Sequence, residues 1–183
     1  MTNTSMEPER RVSTEPIFNG RIIQVRVDTV SLPNGRQATR EVVEHAAAVV
    51  IVPIDDEGNV VLVRQYRYPV EEALLEAPAG IIEDSELPDV CAQRELQEET
   101  GYRSGDLRSM GGFWSSPGFC TEYMHAYIAK DLTPSKLEAD DDENIQVEKV
   151  PLSQVADLIR SGEIRDAKTV AVLLMATCLF ENV

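Results

Sequence analysis

Three carboxylates, Glu95, Glu98 and Glu99, stand at i, i+3 and i+4 within Arg94-Glu95-Leu96-Gln97-Glu98-Glu99. On a helix that spacing places all three on one face. As pure structure the arrangement is costly, because neighbouring negative charges repel. It becomes sensible when hard cations sit among the oxygens, and Mg2+ and Mn2+ prefer carboxylates. Magnesium keeps several waters and shares phosphate oxygens with its substrate, which suits hydrolysis of a diphosphate. Arg94 can pair with Glu98 one turn on, while Leu96 falls on the opposite face and anchors the helix in a core. An isolated acidic helix face is most often merely solvated, so the surrounding residues must decide.

The helix carries its own punctuation. Pro88 suits a first turn and Gly101 a C-terminal cap, so Pro88 to Thr100 reads as helical. Leu87 stands where a capping Ser or Asp is usual, which makes for a weak cap. Upstream, Arg21 to Ser31 alternates, with Ile23, Val25 and Val27 on one face. Pro33-Asn34-Gly35 turns the chain, and Ala38 to Glu44 returns as a second strand. Ala46 to Ile54 is nearly continuous in apolar residues, as in a strand buried on both faces. After the turn at Asp55 to Asn59, Val60 to Tyr66 is expected as its partner. Downstream, Gly112 to Gly118 reads as a loop, Tyr123 to Ala129 and Ile145 to Val150 as strands. Ser153 to Ile159 and Lys168 to Phe180 read as helices separated at Gly162. The pattern is α+β: a sheet sandwiched by helices, preceded by a small antiparallel β region. It divides into a loose N-terminus (1–16), an N-terminal β region (17–45) and a main domain (46–183).

Composition limits the function classes. The chain has 183 residues, 43% of them apolar and 27% charged, enough to bury a real core. A formal charge of −15 repels polyanions and argues against nucleic-acid binding. A diphosphate would be repelled too, unless cations and local arginines reverse the sign within the site. Cys91, Cys120 and Cys178 are widely spaced without a CxxC pair, which argues against a disulfide frame or a zinc site. Met1 to Glu15 lacks the charged-then-apolar form of a leader, and Val170 to Phe180 is too short to span a bilayer. A cytoplasmic protein without membrane association is expected.

Five residues separate Gly80 from Glu86, and seven separate Glu86 from Arg94-Glu95-Leu96-Gln97-Glu98-Glu99-Thr100-Gly101-Tyr102. This resembles the Nudix box, Gly-x5-Glu-x7-Arg-Glu-U-x-Glu-Glu-x-Gly-U with U aliphatic or aromatic, at every defined position of 80–102. A chance match in such a chain has a probability of roughly 10⁻⁷ or below. The resemblance implies a loop-helix-loop metal site on an α/β/α sandwich with a mixed sheet. Glu95, Glu98 and Glu99 would be the metal carboxylates, with Glu98 also counted as catalytic, and the Ala79 carbonyl would add a backbone ligand. Gly80 suits a close approach of backbone to a metal–phosphate cluster. Glu86 would be structural, bonding backbone donors near the helix start.

Further segments resemble the ADP-ribose pyrophosphatase subfamily, from about residue 17 to 178. They are Asn19-Gly20-Arg21, Arg40-Glu41-Val42-Val43-Glu44-His45, Arg64-Gln65-Tyr66-Arg67, Leu75-Glu76-Ala77-Pro78-Ala79-Gly80, Glu122, and Pro117 fifteen residues after Tyr102. The subfamily implies hydrolysis of ADP-ribose to AMP and ribose 5-phosphate with Mg2+ or Mn2+. Another nucleoside diphosphate sugar, such as ADP-glucose, is the close rival. A sensor that binds ADP-ribose without turnover is the rival of another class, and the intact box argues against it. Arg40 and Arg67 become phosphate or ribose contacts, since an arginine fork suits a diphosphate, although either could serve a surface ion pair. Ser116 becomes a terminal-ribose contact. Phe18 either stacks on adenine or belongs to the core. His45 and His125 read as packing residues, and Trp114 as either pocket lining or core. Within Asp140-Asp141-Asp142-Glu143, Glu143 is the favoured general base. The hairpin region implies a homodimer in which one copy completes the other's adenine pocket.

Overall fold

A computed structural model describes residues 6–138 and 144–179. The chain separates into two compact units, one formed by residues 1–46 with 116–122, the other by 47–115 with 123–183.

The first unit is an antiparallel sheet of β1 (Arg10–Asn19), β2 (Ile23–Ser31) and β3 (Gln37–His45), ordered β1-β2-β3. The expected hairpin is present, and its turn uses Gly35 at φ +79°, a conformation that favours glycine. Residues 10–16, expected to be loose, instead pair with β2. Asp28 is buried, accepts a bond from the Thr14 hydroxyl at 2.7 Å and faces Arg26, which together hold its carboxyl below the usual range. That bond ties β1 to β2 through side chains, a link between residues fourteen apart that periodicity does not reveal. Every residue of β1 is exposed, including Val12, Ile17 and Phe18. Phe18 is therefore no core residue.

The second unit holds β4 (Ala48–Pro53), β5 (Asn59–Arg67), β6 (Glu72–Glu76) and β7 (Ala79–Ile81). Helix α1 (Pro88–Thr100) follows, then β8 (Tyr102–Trp114), β9 (Tyr123–Pro134), β10 (Ile145–Pro151), α2 (Val155–Ser161) and α3 (Ala167–Leu179). A mixed sheet runs β7-β4-β9-β8, with β4 and β9 parallel, and an antiparallel sheet runs β10-β5-β6. β5 is thus not the partner strand of β4. After the Asp55 turn the chain leaves the sheet through a single bridge, Ile54 to Val60, and pairs elsewhere. The segment expected to loop from Gly112 is in part the end of β8, which absorbs a bulge at Ser109/Gly111 where Gly111 takes φ +90°.

The apolar run of β4 is buried at every position because two cores meet on it. Val50 and Val52 pack with Leu62 and Leu75 of the second sheet and with Val172, Leu173 and Ala176 of α3. Val49 and Ile51 pack on the other face with Cys91, Ala92 and Leu96 of α1. Burying Leu96 completely contributes about 2 kcal/mol and fixes which face of α1 turns outward. The mixed sheet lies between α1 and α3, the α+β sandwich that the pattern predicts.

Candidate active site

Helix α1 begins and ends where its sequence says. Pro88 occupies its first turn, Leu87 makes no side-chain cap bond, and Gly101 closes it at φ +76° with its N–H on the Gln97 carbonyl. Leu96 points into the core, while Glu95 meets β7 at Gly80 and Glu99 meets it at Ala79. Glu95 and Glu99 are buried, and Glu98 is partly so.

The register of β7 on β4 decides what the carboxylates meet. Ile51 N–H donates to the Pro78 carbonyl at 2.9 Å, and Ile82 N–H to the Ala47 carbonyl at 3.0 Å. Opposed residues in an antiparallel pair alternate between bonded and non-bonded. Val49/Gly80 is therefore a bonded pair, whereas Val50/Ala79 and Ala48/Ile81 turn their N–H and C=O groups away from β4. Since β7 is the sheet edge, those groups point off it. Helix α1 covers that edge. Ala79 N–H donates to Glu99 at 3.1 Å, and the Ile81 carbonyl accepts from Arg94 at 3.3 Å. The Ala79 carbonyl, directed to the same side as its N–H, lies on the flank that carries the Glu99 carboxylate.

Gly80 completes this cradle. A Cβ there would overlap the Glu95 carboxylate, closer than unbonded heavy atoms come. Its φ is unexceptional, so glycine is required by space and not by backbone strain.

Arg94 organises the acids. Its Nε and Nη2 each donate to Glu86 at 3.0 Å, and Nη1 donates to Glu95 at 2.6 Å and to Glu98 at 2.9 Å. The pairing with Glu98 is the expected one. Glu86 differs from expectation: its chief partner is the Arg94 fork, with one backbone donor, Glu83 N–H, at 3.1 Å. Arg94 pulls the Glu86 carboxyl down to about 2. Burial pushes the Cys91 thiol up to about 12, which leaves it protonated and a poor nucleophile near neutrality.

Among the described residues no group of three or more His, Cys, Asp or Glu is arranged to hold a metal ion. Arg94 draws oxygens of both Glu95 and Glu98 to itself. The donor chemistry nevertheless suits a divalent cation: several hard carboxylates, an outward backbone carbonyl and a glycine that keeps the approach open.

The remaining sequence candidates divide between the units. Arg67 belongs with the second, where its Nε and Nη2 form a fork on the buried Glu76 at 2.9 and 2.8 Å. Nη1 and the second N–H of Nη2 remain to reach another acceptor, and Glu99 acts on the guanidinium electrostatically. His125 packs edge-on against Tyr123, which in turn meets Trp114. Trp114 is exposed, so it does not fill the core. Arg40, Phe18, Ser116 and His45 belong to the first unit. Arg40 is exposed and pairs with Glu9 at 3.0 Å, the surface ion pair that was the alternative reading. Ser116 offers its carbonyl to Phe119 and Cys120 N–H. His45 lies 3.5 Å from Glu122. Glu143 and the rest of the 140–143 run lie outside the described residues. Sequence reasoning missed Glu76, Asp166, Lys168 and Thr169, since nothing in their local pattern announces that α3 reaches the Glu76 segment.

Carboxylates of α1 laid along the β7 edge, beside the Ala79 backbone and a glycine that leaves room for them, form a donor set suited to a divalent cation. The chain belongs to the Nudix family: the NUDIX domain matches residues 44–173, and the nucleoside diphosphate sugar hydrolase N-terminal domain matches residues 9–43. The chain is 41% identical over 163 residues to an ADP-ribose pyrophosphatase of Bacillus subtilis, covering 88% of each. It is 42% identical over 164 residues to a methanol dehydrogenase activator of Bacillus methanolicus, covering 88% of this chain and 89% of that one. A crystal structure of an ADP compounds hydrolase superposes with a TM-score of 0.88 at 26% identity, covering 97% of both chains.

Proposed function

We propose that this Nudix pyrophosphohydrolase cleaves the diphosphate of ADP-ribose into AMP and ribose 5-phosphate, with Mg2+ as cofactor and Mn2+ able to replace it. The observation that carries the reading is the intact box laid against the β7 edge, with Ala79, Gly80, Glu95 and Glu99 converging there. Similarity to ADP-ribose pyrophosphatase over most of the chain supports the substrate. Ala79, Glu95, Glu98 and Glu99 would hold the cation, which when bound polarises the diphosphate and neutralises its charge. Glu143 accepts the proton of the attacking water, Arg67 Nη1 and Arg40 meet phosphate or ribose oxygens, Ser116 meets the terminal ribose, and Phe18 stacks on adenine. Glu98 would act in catalysis as well as hold the cation.

The test is a panel of nucleoside diphosphate sugars incubated with Mg2+ and resolved chromatographically. ADP-ribose should give AMP and ribose 5-phosphate in equal amounts with the highest kcat/KM. The match to a nucleoside diphosphate sugar hydrolase domain favours a second reading, in which another such sugar is preferred. A higher kcat/KM for that sugar would replace the first reading with the second. No turnover of any would overturn both and leave a binding role.

We also propose a homodimer. An all-exposed ten-residue strand bearing Val12, Ile17 and Phe18 invites cover by a second copy. The three unbridged cysteines support a reducing compartment, hence the cytoplasm. Among the described residues no helix is long and apolar enough to cross a membrane.

A further inference from the structure

The segment 77–79 is held at three successive points by three different elements. Ala77 N–H donates to the Thr169 hydroxyl oxygen of α3 at 2.9 Å. The Pro78 carbonyl accepts from Ile51 of β4, and Ala79 N–H donates to Glu99 of α1. Pro78 has a fixed φ and no N–H of its own, so little freedom separates the first anchor from the last.

The first anchor is built with a defined polarity. Thr169 is fully buried, and its hydroxyl donates to Asp166 Oδ2 at 2.6 Å. A hydroxyl has a single proton, so its lone pairs are left to accept the Ala77 N–H. Asp166 stands just before α3 and also accepts the Thr169 N–H at 2.9 Å, the bond of a helix N-cap. Lys168 donates to the same Asp166 oxygen at 2.9 Å and bonds Glu76. Burial raises the Asp166 carboxyl, but Lys168 and Thr169 outweigh it and keep it ionised. One cap therefore fixes the start of α3 and the peptide that leads into the β7 edge.

We infer that Thr169, oriented by Asp166, is a positioning residue for the cation site: through Ala77 and Pro78 it sets where the Ala79 carbonyl and N–H lie relative to Glu99. The inference rests on the reading of Ala79 and Glu99 as metal ligands. A purely structural hydroxyl would matter for stability alone, whereas a positioning one also changes how tightly a cation is held.

The test measures Mn2+ binding directly, by electron paramagnetic resonance titration of the full chain without substrate, alongside thermal unfolding in chelator. Thr169→Val keeps the shape but removes both bonds, and should weaken Mn2+ binding about tenfold, as loss of a supporting hydrogen bond does in other metal sites. Thr169→Ser should bind within about twofold of the unaltered protein, because the hydroxyl is restored. Val172→Ala, which shortens an α3 core side chain and removes neither hydrogen bond of Thr169, should lower the unfolding temperature and leave Mn2+ binding intact. Thr169→Ala replaces Thr169→Val should the latter fail to fold. Unchanged Mn2+ binding in the folded Thr169 variant, or equal weakening in Val172→Ala, overturns the inference. Glu99→Gln separates the two levels. If it binds Mn2+ normally the metal-site reading itself fails, and if it loses Mn2+ while Thr169→Val does not, only the positioning role fails.

Discussion

Gly80 and Glu95 occupy complementary space: the hydrogen where a side chain would begin on Gly80 faces the Glu95 carboxylate so closely that no Cβ fits. Glu95 is buried and bonded by Arg94, so it cannot swing aside without giving up that partner. Gly80→Ala should therefore fold but displace Glu95, lowering kcat by roughly ten- to a hundredfold, or about 1.4–2.7 kcal/mol of barrier. Circular dichroism and steady-state kinetics on the purified variant check this. Retained activity would mean that the Glu95 position is not used.

The Ala79–Glu99 hydrogen bond fixes Glu99 to the sheet edge. Glu99→Gln keeps size and offers one oxygen to the Ala79 N–H, yet removes a negative charge. It should reduce kcat about a hundredfold, and excess chelator should abolish turnover of the unaltered enzyme. Full turnover in chelator, or a fully active Glu99→Gln, would remove the site from the β7 edge.

Arg67 is engaged before any substrate arrives. Its fork neutralises Glu76, which is only 1% exposed and would be a costly unpaired charge. Arg67→Lys loses the paired geometry and leaves Glu76 to two ammonium groups. Urea unfolding should show a loss of about 1–3 kcal/mol. If Nη1 also meets phosphate, KM for ADP-ribose rises as well. An unchanged KM with lowered stability would confine Arg67 to structure.

What could be read in the sequence follows the range of the forces involved. The bounds of α1 were legible because Pro88 and Gly101 act within one turn, and its three-acid face because i, i+3, i+4 is local geometry. The division of β4 and β5 between two sheets was not, since an apolar run looks the same whichever strand lies beside it. β1 was missed because none of its residues is buried and no alternation marks it. Within the site the box located Glu95, Glu98 and Glu99, but Glu86's attachment to Arg94 requires α1 to fold back over its own approach loop. The Thr169–Ala77 bond joins residues 92 apart in sequence, beyond any local signal.

Association is checked by light scattering. The exposed apolar residues of β1 should be covered in a dimer of twice the 20.3 kDa chain. A single species of 20.3 kDa at micromolar concentration would refute it. Ile17→Glu, placed in that exposed strand, should shift the mass towards the monomer while α1 and its contacts remain.

The last expectation is a pH window set by one ion pair. Arg94 holds the Glu86 carboxyl at about 2, below its ordinary 4.5. The folded form thus binds this proton less readily than the unfolded chain does, so the pair stabilises the fold wherever the carboxyl is ionised in both states. The contribution is complete above about pH 4.5 and fades as pH falls towards 2. Other carboxylates titrate in the same range, so the pair must be isolated by difference. Glu86→Gln should cost about 1–2 kcal/mol at pH 7, and that gap from the unaltered protein should shrink steadily between pH 4.5 and pH 2. Urea unfolding of both proteins in chelator, at stepped pH, measures it without cation effects. A gap that persists undiminished to the lowest pH would show that Glu86 acts by shape and not by charge, and the Arg94 fork would then not be what fixes the loop to α1.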